Sequence, residues 1–350
     1  MSVVAAEPAR RGFSVLKVGV FGALVAALLM SMLFAIGAGR FSVSVPRIFD
    51  ILMAGATNPG LAPTSMDERI VLLVRLPRVL LAALSGAALA VGGAALQGVF
   101  RNPLVSPQVL GISQGAAFGG ALALLFGLSG VVLLGMAFVF GLSALILVGA
   151  LARINGRTEV ITVILSGMVI GALFGALVSI VQFVADPNTS LPAIVYWLMG
   201  SFSTATWARL GLAVPGMAIG LAIIYLLRYR LNLLALEDSE ARSLGVNPDR
   251  ERWVVFIAIA LMTGTSVAVA GIVGWIGLVV PHAARILVGE DHRSLIPASA
   301  LMGAAYLTFV DTLARTLTAA EIPLGVLTAL IGAPVFGVLL RRHFKEANRP

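Results

Sequence analysis

Residues 18–38 read VGVFGALVAALLMSMLFAIGA, an apolar run without a charged side chain. As an α-helix, a run of this length covers about 30 Å, the thickness of the hydrocarbon core of a bilayer. The run exceeds the core of a secretory signal, which has about 7–15 apolar residues, although Arg10, Arg11 and Lys17 precede it. The stretch therefore predicts a membrane-spanning helix.

Similar apolar runs recur along almost the whole chain. Of the 350 residues, 59% are hydrophobic and 11% are charged, whereas a typical soluble domain has about 25% charged residues. The sequence therefore predicts an all-α, polytopic membrane protein with about ten transmembrane helices. Breaks at charged residues, Pro and Asn place them at 18–38, 71–97, 109–126, 131–152, 159–184, 207–228, 252–270, 272–288, 295–314 and 323–340. Because lipid provides no hydrophobic drive between helices, the 38 glycines predict close helix–helix packing.

The charge distribution predicts an orientation for the chain. Residues 1–17 and 341–350 are predicted tails, 18–340 is one transmembrane domain, and 229–251 is its longest inside loop. An even number of helices places both tails on one side. If that side is the cytoplasm, 17 of the 24 basic residues lie inside, in agreement with the positive-inside rule. The seven outside are Arg40, Arg47, Arg69, Arg75, Arg78, Arg209 and Arg315.

Several classes of protein are disfavoured by what the sequence lacks. It has no GxxxxGK[ST] phosphate loop, and its two lysines, Lys17 and Lys345, lie near the termini. The predicted helix centres carry almost no acids for ion coupling; Asp311 and Arg315, one turn apart, are expected to neutralise each other. With no cysteine and three scattered histidines, no metal site is predicted. The energy for transport must then come from another chain.

The inside loop contains a predicted short helix. Residues 236–246 read LEDSEARSLGV, in which Asp238 or Ser239 can cap the helix and Gly245 can end it. One interpretation is an ordinary polar connector, and the other is a coupling helix that docks onto a cytoplasmic ATPase. The apolar residues that favour docking are Leu236, Ala241 and Leu244.

A series of short motifs resembles the iron-chelate, haem and cobalamin permeases of the FecCD type. The likeness runs from about residue 70 to the C-terminus, with the motifs in the family's order. They are RLPR at 75–78, GAALQ at 93–97, RNPLVSP at 101–107, LGISQGA at 110–116, YWLMGS at 196–201, ARSLGV at 241–246, GLVVPHAAR at 277–285, DTLAR at 311–315 and PLGVLTA at 323–329.

The resemblance implies the permease subunit of a type II ATP-binding-cassette importer in a bacterial inner membrane, with both termini cytoplasmic. It implies a homodimer, two cytoplasmic ATPase subunits that hold ATP and Mg²⁺, and a periplasmic binding protein that delivers substrate. No catalytic residue, bound cofactor or nucleic-acid partner is expected for this chain. An ion-driven secondary carrier and a membrane enzyme are the alternatives from other classes.

The resemblance also implies roles for particular residues. Three arginines, Arg75, Arg78 and Arg315, are expected to bind glutamates of the binding protein; alternatively, they anchor helix ends at the membrane interface. The residues expected to contact the ATPase are Glu237, Asp238, Ala241, Arg242, Leu244 and Gly245.

The substrate pathway is predicted at the end of the fifth helix. Ser179 and Gln182 are polar residues in an apolar helix, and a water-filled passage would solvate them. Phe183 and Met199 are added to this lining, although Met is more often a packing residue. The stretch 191–200 resembles haem permeases most, so haem is the first expected cargo, ferric siderophore the second and cobalamin the third.

Overall fold

The computed structural model describes residues 8–39, 41–57, 63–154, 157–158 and 160–347. These residues are almost entirely helical. A π-helix at Ile70–Arg75 joins α3 to α4, a 3₁₀ turn at Pro107–Leu110 precedes α5, and β1 (Arg153–Ile154) pairs antiparallel with β2 (Arg157–Thr158). The helices are α1 Pro8–Gly37, α2 Val45–Thr57, α3 Met66–Arg69, α4 Leu76–Phe100, α5 Ile112–Leu125, α6 Gly130–Ala152, α7 Val160–Val184, α8 Ser190–Leu198, α9 Trp207–Leu234, α10 Asp238–Ser243, α11 Pro248–Ala270, α12 Ile276–Val288, α13 His292–Thr316 and α14 Leu324–Ala347.

The all-α membrane fold predicted from the sequence is confirmed. Each of the ten predicted spans coincides with a helix, and seven helices of the described chain are long and apolar enough to cross a membrane. The other three, α5, α12 and α14, have shorter apolar segments. The four further helices, α2, α3, α8 and α10, are short and were not predicted as spans.

The short helices α2 and α3 follow from local sequence. Ser65 accepts a hydrogen bond from the backbone N–H of Glu68, whose carboxylate in turn accepts from the N–H of Ser65, so α3 begins with a capping box. On α2, Ile48 and Ile51 are buried, and Arg47 pairs with Glu68 at 3.3 Å. The described residues between α1 and α4 therefore include two short helices joined by an ion pair.

Most of α4 is buried, because the helix packs against α9, α11, α12 and α13. Where α4 crosses α13 and α12, a glycine of α4 contacts a glycine of the other helix. A Cβ on Gly86 would lie 2.1 Å from the carbonyl oxygen of Gly303, and one on Gly93 would lie 1.9 Å from that of Gly277. Such contacts leave no room for a side chain, as expected where van der Waals contact drives helix association.

The chain breaks between α11 and α12 at residues 271–275, which include Gly271 and Gly274. Gly271 ends α11 with φ at +71°, and a Cβ there would lie 2.1 Å from the carbonyl oxygen of Trp197 on α8. Beside the break, the N–H of Ser201 donates to the carbonyl of Ala270 at 2.8 Å. The irregular backbone is therefore packed against protein, which is where a membrane tolerates it.

Candidate functional sites at the two ends of the bundle

One candidate site is built around α10 in the loop between α9 and α11. The predicted helix is present, but its cap differs from the prediction. Glu237 occupies the N-cap position without a side-chain hydrogen bond, so neither Asp238 nor Ser239 caps the helix. Gly245 adopts φ +81° directly after it, as expected for the residue that ends a helix.

Asp238 does not cap α10 because its carboxylate is used to anchor the helix. It accepts a hydrogen bond from Nη1 of Arg252 on α11 at 3.0 Å, and Nη2 of Arg101 lies 3.4 Å away. Arg101 also donates to the carbonyl of Leu236. The hydrogen bond from Arg252, aided by the charge of Arg101, lowers the pKa of Asp238. The loop is therefore tied to the ends of both α4 and α11.

The other face of α10 is free of the bundle. Ala241 is buried and Arg242 pairs with Asp249 at 3.3 Å, whereas Glu237 is exposed. The side chain of Leu244 is 58% exposed and that of Leu236 is 37% exposed. The anchored helix is therefore flanked by two exposed leucines that are available for apolar contacts.

A cavity of about 860 Å³ opens at the same end of the bundle. It is bounded by the ends of α4 and α9, by α12 and by the start of α13. Its polar wall includes Gln97, which accepts a hydrogen bond from Nη2 of Arg285 at 3.1 Å, and Asn232, whose Oδ1 lies 2.8 Å from Nδ1 of His292. The α10 end of the bundle therefore combines two exposed leucines with a polar recess.

The opposite end of the bundle contains the three arginines predicted to dock a binding protein. Arg75 and Arg315 instead cap the C-terminus of α1. Nη1 of Arg75 donates to the carbonyls of Ile36 at 2.6 Å and Gly37 at 3.0 Å. Nη1 of Arg315 donates to the carbonyl of Ala38 at 2.8 Å. These carbonyls have no partner within the helix, and a cation is favourable at this end of its dipole.

The third arginine, Arg78, binds two carboxylates at once. Its Nε and Nη2 donate to Asp311 at 2.9 and 2.8 Å, and its Nη1 and Nη2 donate to Glu321 at 2.8 and 2.9 Å. The prediction that Asp311 pairs with Arg315 is therefore wrong: Asp311 pairs with Arg78 from another helix. Glu321 is a member of this site that the sequence analysis missed, because no motif marks a lone acid in the link between α13 and α14.

We call Arg75, Arg78, Arg315, Asp311 and Glu321 the arginine cluster. The structure brings the three arginines to one end, but Arg75 and Arg78 are buried and Arg315 is half-buried. All three guanidinium groups have partners within the chain, in helix capping or in ion pairs. Capping by Arg75 and Arg315 agrees with the alternative that they anchor helix ends, and docking through Arg75, Arg78 and Arg315 stays a prediction.

Three of the predicted pathway residues lie on α7, and the fourth, Met199, lies directly after α8. On α7, Phe183 is 88% exposed and Gln182 is half-buried. The hydroxyl of Ser179 is exposed, yet it donates to the carbonyl of Gly175 at 3.1 Å, so it does not require water as a partner. Met199 is half-buried after α8, and its carbonyl accepts a hydrogen bond from the N–H of Gly325. The exposed end of α7 is thus available to line a passage, and Met199 has a structural contact.

Comparisons with known proteins agree on one family. The molybdate import system permease protein of Haemophilus influenzae is 44% identical over 313 residues, which cover 89% of this chain and 92% of the relative. The hemin transport system permease protein of Yersinia pestis is 40% identical, with 85% of this chain and 94% of the relative covered. A metal-chelate type ABC transporter solved in an inward-facing conformation matches 92% of this chain, with a TM-score of 0.83 and 40% identity.

The family assignment covers nearly the whole bundle. The profile of the FecCD transport family matches residues 26–342, from α1 to α14. That range includes α10 and every residue of the arginine cluster. The chain therefore belongs to the FecCD transport family, whose members are permeases of ATP-binding-cassette importers.

Proposed function

We propose that this chain is the translocation subunit of an ATP-driven importer for an iron chelate, with haem as the first candidate cargo. Two copies would form the passage, and two ATPase subunits holding ATP and Mg²⁺ would bind at the α10 end. A periplasmic binding protein would bind at the arginine cluster. The observation that carries the proposal is the anchored helix α10, flanked by exposed Leu236 and Leu244, at one end of an apolar bundle.

The same geometry supports the proposed orientation. Nζ of Lys17 donates to Ser294 at 3.3 Å, so the N-terminal half of α1 lies beside the start of α13. The other end of α1 is capped by Arg315, which lies near the end of α13. Together with the excess of basic residues at the α10 end, this supports cytoplasmic termini in a bacterial inner membrane.

A second cargo is supported by the 44% identity to a molybdate permease. Molybdate is a small oxyanion, whereas haem and ferric siderophores are large chelates. The two cargo classes require passages of different width, so they can be separated by transport. Ferric siderophore and cobalamin are the remaining candidates in the family.

The test is uptake into liposomes that contain the permease and its ATPase. Haem, molybdate, a ferric siderophore and cobalamin are each offered with a cognate binding protein, with and without ATP. Haem-dependent stimulation of ATP hydrolysis with ATP-dependent accumulation is the expected result. Stimulation by another cargo alone would support the importer function and would identify that cargo in place of haem. No ATP dependence with any cargo would contradict the importer.

A further inference from the structure

Four of the five N–H groups of Arg78 already donate to carboxylates of this chain. Nε and Nη2 donate to Asp311, and Nη1 and Nη2 donate to Glu321, with these four distances between 2.8 and 2.9 Å. The two carboxylates differ in their contact with solvent, because the side chain of Asp311 is 2% exposed and that of Glu321 is 29% exposed. Of this pair, Glu321 is the carboxylate that an approaching group can replace.

Glu321 also lies in a segment that connects two helices. Residues 316–320 before it are exposed, and the N–H of Ile322 after it donates to the carbonyl of Ala314 at 2.9 Å. The N–H groups of Leu324 and Gly325 then donate to the carbonyls of Gly200 and Met199, both at 2.9 Å. A movement of Glu321 is therefore transmitted to the start of α14 and, through it, to the end of α8.

We propose that Glu321 is an internal competitor for docking: it occupies Arg78 in the undocked permease, and a carboxylate of the binding protein replaces it on docking. The inference rests on the proposed function, since it requires a binding protein that docks at this end. It names Glu321 as the residue that sets the strength of docking and that links docking to the α13–α14 connection.

The exchange keeps the buried charge compensated. Removing one partner from a buried ion pair is strongly destabilising, because an unpaired charge is left behind. Replacing one carboxylate by another avoids that cost, and Asp311 stays bound to Arg78 throughout. The side chain of Glu321 is already partly in contact with water, so only a small rearrangement is needed for its carboxylate to leave Arg78 and become fully hydrated. Docking by exchange therefore costs less than docking to a bare guanidinium that must first be exposed.

The test measures docking with the neutral variant Glu321→Gln. The full complex of permease and ATPase is placed in nanodiscs, and the probe is the binding protein that stimulates ATP hydrolysis in the uptake assay. Without a charged competitor, we expect a Kd about tenfold lower than in the wild type. Glu321→Asp should stay near the wild type. As a charge control, Asp50→Asn removes an exposed carboxylate of α2 outside the cluster and should leave the Kd unchanged.

A second measurement separates exchange from loss of structure. Since the chain has no cysteine, Ala319→Cys carries a single spin label in the exposed segment before Glu321. Docking should increase the mobility of this label in the wild-type background, and Glu321→Gln should show the higher mobility before docking. A fixed label in both backgrounds would overturn the proposal.

The outcomes of these experiments separate this inference from the proposed function on which it rests. If no binding protein stimulates ATP hydrolysis by the wild-type complex, the proposed importer function is refuted, and the role of Glu321 as a competitor is refuted with it. If the wild type docks but Glu321→Gln binds equally or more weakly, only the competitor is refuted. A third outcome is that the permeases with Glu, Gln and Asp at position 321 all bind the binding protein with the same Kd while the label moves on docking. In that case Arg78 is not the docking partner, and the proposal is likewise overturned.

Discussion

Arg78 on α4 and Asp311 on α13 form an ion pair of 2.8 Å between residues that are 233 positions apart in the chain. Both residues are buried. The pair lies at the same end of the bundle as the arginine caps of α1, and it ties α4 to α13 about two turns from their close crossing at Gly86 and Gly303. It therefore fixes how the two helices meet.

Asp311→Asn should destabilise the permease. Arg78 now has two charged partners, and in the variant it keeps Glu321 alone. The negative charge around the buried guanidinium is then reduced. We expect the free energy of unfolding to fall by about 3 kcal/mol, measured by titration with SDS in mixed micelles.

The control for Asp311→Asn is the triple variant Arg78→Met, Asp311→Leu and Glu321→Gln, which removes all three charges together. Replacing buried ion pairs by uncharged residues of similar volume is often neutral, so this variant should recover most of the lost stability. A triple variant as unstable as Asp311→Asn would show that the unpaired charge is not the source of the effect.

Arg75→Leu should loosen the C-terminus of α1. The substitution removes the donor to the carbonyls of Ile36 and Gly37, and a buried carbonyl without a partner costs about 1–3 kcal/mol. Hydrogen exchange at residues 34–41 should become faster, and stability in detergent should fall by about 2 kcal/mol. Arg209→Leu changes an arginine at the start of α9 and should leave this exchange unaltered; equal protection in both variants would refute the capping role.

The helices were predictable because membrane spans are recorded in continuous apolar runs. Ten runs gave ten helices, and the break at Gly271 was visible as a cluster of glycines. In contrast, α2 alternates Ile48 and Ile51 with exposed residues in a short stretch, so length alone did not identify it. The Ser65-x-x-Glu68 spacing of a capping box is itself a sequence signal for the start of α3.

The sites were less predictable because ion pairs join residues that are distant in sequence. Spacing on one helix paired Asp311 with Arg315, but α4 brings Arg78 closer and the end of α1 takes Arg315. The exposed leucines that flank α10 could be anticipated, since an apolar residue in a charged inside loop has no bilayer to face. The anchoring of Asp238 by Arg252 could not, because nothing in the sequence fixes the angle between α10 and α11.

Leu244→Arg should abolish ATP-driven uptake without unfolding the protein. Because the side chain is 58% exposed, the substitution leaves the bundle intact but places a charge in an apolar contact. We expect loss of ATPase binding in a pull-down and loss of transport in liposomes. Leu244→Met conserves volume and should behave as the wild type; normal uptake by the arginine variant would remove this loop from the mechanism.

Asp238→Asn should uncouple ATP hydrolysis from cargo transport while the ATPase stays bound to the permease. Without the carboxylate, α10 loses its ion pairs with Arg252 and Arg101, so movement of the ATPase is no longer passed to the bundle. ATP hydrolysis should continue while cargo uptake falls by about tenfold, an expectation scaled to charge-assisted hydrogen bonds of about 1.5 kcal/mol. Ser239→Ala, at an exposed neighbouring position, is the control; proportionate loss of hydrolysis and uptake would contradict uncoupling.

The pH dependence of the same site has a defined sign. The pKa of Asp238 in the folded protein is lowered by its hydrogen bond with Arg252. Its stabilising effect is therefore fully present above the ordinary aspartate pKa of about 3.9, and it is lost only as the pH falls through the lowered value. Coupling in the wild type should show no Asp238-dependent step between about pH 5 and pH 8, measured as the ratio of uptake to hydrolysis. A step in that range, absent from Asp238→Asn, would contradict the anchored carboxylate.

Phe183→Cys tests whether the end of α7 lines the passage. Phe183 is 88% exposed, and that exposure is to lipid if α7 lies on the outside of the dimer and to water if it lines the pathway. A charged, membrane-impermeant thiol reagent reacts only where water reaches the sulfur. In the assembled importer, we expect rapid labelling of Phe183→Cys and a block of uptake after labelling.

The matched control for Phe183→Cys is Leu212→Cys, near the start of α9 and thus at the same end of the bundle. Leu212 is 47% exposed in the single chain and is not a predicted pathway residue. It should react slowly in liposomes and leave uptake unchanged, whereas both cysteines should react once the protein is denatured in SDS. Equal slow labelling of the two positions in the membrane would place the end of α7 against lipid and would remove Ser179, Gln182 and Phe183 from the pathway together, because the three lie within about one turn of the same helix.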